Sequence, residues 1–156
     1  MFVVLALFSS SVIDGVDGLA AGVLTMIFVS YGFIGIMQTQ YDIATFCFVV
    51  AGALLAFLWF NVPPARFYLG ETGMLGVTIS LAVIIFLTDT VVEFIVIGFP
   101  LVLTSASSLI QIISRRLFNK KILKVAPLHH HLEAIGWSRS KITMRYWIFS
   151  AMCSIA

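Results

Sequence analysis

The sequence predicts an all-α polytopic transmembrane helix bundle, with about four full spans and a partial span at each end. Three observations predict it. Of the 156 residues, 61% are hydrophobic and only 10% are charged, whereas soluble domains average about 45–50% apolar and about 25% charged. The mean hydropathy is +1.10, so most of this chain has lipid as its solvent. The apolar residues also fall in long continuous runs, without the alternation that a membrane barrel requires.

A helix needs roughly 20 apolar residues to cross the hydrocarbon layer. Residues 1–13 are apolar but short, and include Ser9, Ser10 and Ser11. Leu19–Met37 and residues 43–60 are uncharged and long enough to span, and 72–88 is shorter but uncharged. Residues 94–114 form the fourth span, with Gly98 and Pro100 inside it. A proline there removes a backbone hydrogen bond and predicts a kink or break. Residues 146–156 form the last, partial run. Because the chain begins and ends within apolar stretches, it reads as a piece of a longer protein, with residues 1–156 forming one membrane domain.

Charge sets the orientation. Connections 13–18, 61–71 and 115–141 share one side, and connections 38–42 and 89–93 share the other. Arg66, Arg115, Arg116, Lys120, Lys121, Lys124, Arg139 and Lys141 all fall in the first set, Arg145 sits at its margin, and the second set has no base. The positive-inside rule places the first set in the cytoplasm. The net charge of +2 is too small to suggest nucleic acid. Cys47 and Cys153 lie in apolar runs and read as packing residues.

Three constellations on the basic side could carry chemistry. In Asp14-Gly15-Val16-Asp17-Gly18, a helical spacing would put both acids on one face, suited to Mg²⁺ or to a ligand's hydrogen bonds. On spacing alone, acids favoured by the dipole at a helix start are the simpler account of the pair. In the segment from Asn61 to Gly73, Pro63 and Pro64 stiffen a loop, and Gly70 and Gly73 flank Glu71 just before a span. Backbone N–H groups at such a helix start favour phosphate, and a metal on Glu71 would bridge to it. The plain alternative is a loop with an N-terminal acid.

In Pro127-Leu128-His129-His130-His131-Leu132-Glu133, imidazoles can bind metal or phosphate. Consecutive helical residues point about 100° apart, so the three histidines need either a bent loop or a division of labour. Glu133, four residues after His129, is placed to orient it. The basic run 115–124 can anchor on anionic headgroups or attract an anionic substrate. Gln111, Ser105, Ser107 and Ser108 in the fourth span are accounted for by helix packing.

These motifs, in this order, resemble the polyprenyl-phosphate N-acetylhexosamine-1-phosphate transferase family. Ala126-Pro127-Leu128-His129-His130-His131-Leu132-Glu133-Ala134-Ile135-Gly136-Trp137, followed by Lys141 and Arg145-Tyr146-Trp147, is similar to its peptidoglycan branch. The resemblance covers nearly the whole chain, as the C-terminal half of the family's usual length. It implies transfer of phospho-N-acetylmuramoyl-pentapeptide from UDP-MurNAc-pentapeptide to undecaprenyl phosphate, giving lipid I and UMP, with Mg²⁺ as cofactor.

Glu71 stands at the family's magnesium-ligand position. Asp14 and Asp17 stand where it has acids serving the nucleotide and catalysis, His129, His130 and His131 match its histidine motif, and Asn61 and Gly70 lie in its substrate loop. The partners implied are the nucleotide substrate, the lipid phosphate, the bilayer of a bacterial inner membrane and a second copy of the chain.

The sequence departs from the pattern at Glu71, where the family has aspartate, and at Met74, Ser11, Phe8 and Ile13. The family's paired-aspartate loop lies upstream of the matching region. Competing readings are a transferase for another UDP-N-acetylhexosamine, and a non-catalytic remnant or partner subunit. A transporter fits less well, because the span interiors lack charge.

Overall fold

A computed structural model describes residues 15–155. Seven helices follow one another among these residues, with no strand: α1 (Leu19–Met37), α2 (Tyr41–Asn61), α3 (Gly70–Leu87), α4 (Val91–Ile97), α5 (Phe99–Phe118), α6 (Leu128–Ala134) and α7 (Arg139–Ile155). The expected partial span over residues 1–13, and Asp14, lie outside the described residues.

α1, α2 and α3 are each long and apolar enough to cross a membrane. α1 is the central helix. It buries Leu19, Val23, Leu24, Ile27, Phe28 and Tyr31. Lipid tails are as apolar as leucine, so contact between helices in a bilayer depends on close backbone approach at small residues. α1 and α2 follow that rule: Gly35 of α1 lies against the backbone of Ala44, and Gly32 against the ring of Phe48. The outer face of α2 carries Phe46, Val49, Leu55 and Trp59, all exposed and suited to lipid.

The fourth expected span is divided. Gly98 separates α4 from α5, and the two axes meet at 86°. The aromatic ring of Phe94 occupies the space a Cβ at position 98 would need, which explains glycine at the corner. Pro100 then stands in the first turn of α5, where no intrahelical N–H partner is lost. Among the described residues there are therefore three straight spans and one sharply bent pair, broken at Gly98 within the span where the sequence predicts a kink or break. The final helix is also longer than hydropathy suggested. It starts at Arg139, seven residues before Tyr146, so Arg139, Lys141 and Arg145 are helical.

Long-range hydrogen bonds sort the connections to two ends, as the alternation of spans requires. At one end, Gln38 Nε2 donates to the Thr88 carbonyl at 2.9 Å, and the Tyr31 hydroxyl to the Thr90 carbonyl at 3.3 Å. At the other, the segments around Gly15–Gly18, Asn61–Tyr68 and the histidines come together, with the start of α7 beneath them.

Candidate functional site

The site is built on the turn Gly15–Gly18, which leads into α1. Gly18 caps α1 with φ 73°, a left-handed conformation that a side chain would strain. Gly15–Gly18 form a turn, not a helix; Asp14, and with it the expected shared face of Asp14 and Asp17, lies outside the described residues. Asp17 is positioned by other elements. Its Oδ2 accepts from the Ala65 N–H at 3.2 Å, and its Oδ1 from the Tyr68 hydroxyl at 3.1 Å. Its carbonyl accepts from Thr143 Oγ1 at 3.0 Å. Next to it, the Gly18 carbonyl accepts from Trp147 Nε1 at 3.0 Å.

Asn61, at the end of α2, fastens the second loop to this turn. It is buried; its Oδ1 accepts from the Gly18 N–H at 3.0 Å, and its Nδ2 donates to the Phe67 carbonyl at 2.9 Å. Both ends of the amide are used, which explains asparagine rather than aspartate in a buried place. Asn61 thus shapes the loop that presents Tyr68 and Ala65 to Asp17. Gly70 opens α3 with φ 69°, and Glu71 follows in its first turn, exposed, as the sequence led us to expect.

The three histidines lie on a regular helix, α6, so they divide their work. His129 points inward and is fully buried, with neither ring nitrogen hydrogen-bonded. Burial, and secondarily the neighbouring His130, lower its pKa to about 4, so it is neutral at physiological pH. His130 Nδ1 lies 2.7 Å from Glu133 Oε2. Glu133 therefore orients His130, three residues away, and not His129, because the His129 ring is turned into the core. Arg139 Nε donates to the other Glu133 oxygen at 2.7 Å. The hydrogen bonds from His130 and then Arg139 hold the Glu133 carboxyl below the usual carboxylate range. His131 Nδ1 accepts from the Lys124 N–H at 3.2 Å. A ring that accepts at Nδ1 carries its proton on Nε2 when neutral.

Gly15 joins the two halves of the site. A Cβ there would stand 2.8 Å from the Nε2 atoms of both His129 and His130, so the backbone lies directly against both rings. Asp17 and His130 are thereby held on neighbouring parts of one surface.

Among the described residues, no group of three histidine, cysteine or acidic side chains is arranged to hold a metal ion. Magnesium seldom uses such a cage; it is typically bound through one or two carboxylates, with substrate phosphates and water completing the octahedron. Asp17 uses two of its carboxylate's roughly four acceptor positions and keeps the others. Glu71 is exposed beside a helix start. A carboxylate oxygen at either position is the donor type that magnesium takes. A cavity of about 660 Å³ lies toward the opposite end, between α1, α4 and the end of α7. Met26, Phe33, Ile34 and Val96 line it, and apart from Glu93 it offers no charged group.

A family model described as glycosyl transferase family 4 matches residues 1–89. The chain belongs to that family. Its relatives include the phospho-N-acetylmuramoyl-pentapeptide-transferase of Latilactobacillus sakei subsp. sakei, 38% identical over 141 residues, covering 90% of this chain and 44% of the relative. The enzyme of that name from Rubrobacter xylanophilus is also 38% identical over 141 residues, with 90% and 43% covered. That of Geobacillus sp. (strain WCH70) is 40% identical over 134 residues, with 86% and 41% covered. The chain thus spans less than half the length of these curated relatives. Family membership was legible in the motifs. The positioning roles of Tyr68, Thr143, Trp147 and Arg139 have no signature in the sequence, although Trp147 stands within the motif that carries the resemblance.

Proposed function

We propose that this chain forms the C-terminal half of a domain transferring phospho-N-acetylmuramoyl-pentapeptide from UDP-MurNAc-pentapeptide to undecaprenyl phosphate. A phosphate oxygen of the lipid attacks the β-phosphorus of the nucleotide. The bond from that phosphorus to the bridging oxygen breaks, UMP leaves, and lipid I remains in the membrane. The reading is supported most by one observation: the Gly15–Gly18 turn carrying Asp17 lies against His130, while Asn61 and Tyr68 hold the same turn from the other side.

The residues take distinct parts. His130 is oriented through Nδ1 by Glu133, which leaves Nε2 to exchange a proton or bind phosphate. His131 offers Nε2–H as a donor to a phosphoryl oxygen. His129, neutral and enclosed, backs the Gly15 main chain and takes no proton at neutral pH. Asp14, as the second acid of the motif, serves the nucleotide together with Asp17, and Gly70 leaves room for substrate at the start of α3. Glu71 would hold Mg²⁺, which when bound neutralises the diphosphate and stabilises the departing UMP.

The loops bearing the site face the cytoplasm of a bacterial inner membrane in this reading, because the bases gather with them. The protein acts there as one membrane domain, and a homodimer is compatible with it. UMP release from UDP-MurNAc-pentapeptide, measured on membranes carrying the full-length protein of which this chain is the C-terminal half, tests the reading. Asp17→Ala and His130→Ala are each expected to abolish release. Near-normal turnover in either variant would overturn the site assignment.

A further inference from the structure

The buried face of α5 is polar. Thr104, Ser105, Ser108, Gln111 and Ser114 are buried, while Ile110, Ile112, Ile113 and Leu117 are exposed. In lipid a helix exposes its isoleucines and turns its polar side chains inward, where they need partners. Several of these side chains find them outside the helix. Ser114 Oγ donates to the Lys120 carbonyl at 2.9 Å. Gln111 Oε1 accepts from the N–H groups of Ile122 at 3.1 Å and Leu123 at 3.0 Å, and its Nε2 donates to the Leu123 carbonyl at 3.0 Å. Ser107 Oγ accepts from the Leu128 N–H at 3.0 Å.

Residues 119–127 form no helix of their own, so their backbone groups must find partners elsewhere. α5 supplies them through its side chains. The next residue after the clamped pair is Lys124, whose N–H donates to His131 Nδ1. We infer that Gln111 is a positioning residue: by fixing the backbone of Ile122 and Leu123 it sets the Lys124 N–H against His131, and so holds His131 as an Nε2–H donor. The catalytic value of that donor rests on the function proposed above; the tautomer itself does not.

The test uses the full-length protein in lipid nanodiscs, with Gln111→Met and Gln111→Glu. Methionine keeps the length and removes all three hydrogen bonds. Glutamate keeps the acceptors and loses the donor to Leu123. Imidazole ¹⁵N spectra, with His131 assigned by its loss in His131→Gln, report the tautomer. UMP release reports kcat and KM.

The native chain is expected to show His131 in the Nε2–H form, and Gln111→Met to show a mixture of both tautomers. kcat is expected to fall about tenfold or more, the scale on which losing an orienting partner acts at other histidine sites. KM for the nucleotide is expected to stay within about twofold, since uniform binding is untouched. Glutamate is expected to fall between the two, and it decides the question if the methionine variant does not accumulate. A native His131 spectrum in the variants overturns the inference whatever the turnover. Should the full-length native protein release no UMP, the proposed function fails, while the spectra still decide the role of Gln111.

Discussion

The indole of Trp147, near the middle of α7, donates to the main-chain carbonyl of Gly18 at 3.0 Å, joining residues 129 positions apart in sequence. The same ring fills the place a side chain at Gly22 would occupy. One contact therefore fixes both the start of α1 and the turn that carries Asp17. Trp147→Phe keeps most of the ring and leaves the partly buried Gly18 carbonyl unpaired, at a cost of about 1–3 kcal/mol. Gly22→Ala pushes the indole away, and overpacking of this kind costs about 1–3 kcal/mol. Both variants are expected to unfold at lower temperature. Because they disrupt one contact, the double variant should lose less than the sum of the two. Full additivity would show that the indole and the glycine act separately.

Asn61 offers a sharper chemical test. Its Oδ1 accepts from the Gly18 N–H and its Nδ2 donates to the Phe67 carbonyl. Asn61→Asp preserves the first bond, but sets a carboxylate against the Phe67 oxygen in a buried position. Asn61→Leu loses both bonds. Both are expected to lower stability by about 1–3 kcal/mol or more, and to reduce UMP release by releasing the loop that holds Asp17. An aspartate variant with native stability and turnover would show that the amide nitrogen has no part in shaping the loop.

Continuous apolar runs made the three straight spans readable, because lipid imposes one requirement on every residue of a span. The corner at Gly98 was readable as a weak point, but its 86° angle depends on the Phe94 ring folding over the glycine. The early start of α7 was hidden because Arg139, Lys141 and Arg145 depress hydropathy there. Two of these cations stack on Trp137, with Lys141 Nζ at 4.9 Å and the Arg145 guanidinium at 4.2 Å from the ring centre. For Glu133, spacing alone allowed a partner three or four residues away. The inward turn of His129, a tertiary fact, decided for His130. Gln111 looked like a packing residue because its partners are loop backbone, which has no signature in side-chain pattern.

Glu71 lies exposed in the first turn of α3. If it contributes to Mg²⁺, Glu71→Ala should raise the magnesium concentration needed for half-maximal UMP release by about tenfold or more, as loss of about 1.4 kcal/mol of binding requires. Glu71→Asp keeps the carboxylate with one methylene less, and is expected to preserve or raise activity. A magnesium titration of the alanine variant that superimposes on the native one would remove Glu71 from the metal site.

His129 makes the α6 segment sensitive to acid. Its ordinary pKa of 6.5 is lowered to about 4 by burial, so the unfolded chain takes up a proton on this ring that the folded chain refuses. Above 6.5 both states are neutral and the group has no effect; as pH falls from 6.5 toward 4, the unfolded or opened segment gains. Glu133, held below its ordinary 4.5 by His130 and Arg139, acts in the same direction, but only at and below about that value. Protection factors of the amides across residues 122–137, referred to the intrinsic exchange rate at each pH, should therefore fall from pH 6.5 downward. His129→Leu, which puts an apolar side chain in an enclosed place without hydrogen bonds, should abolish the change between pH 6.5 and 4.5 and leave the Glu133 part below it. Protection in that variant that still falls steeply between those values would mean that a group other than His129 takes up the proton.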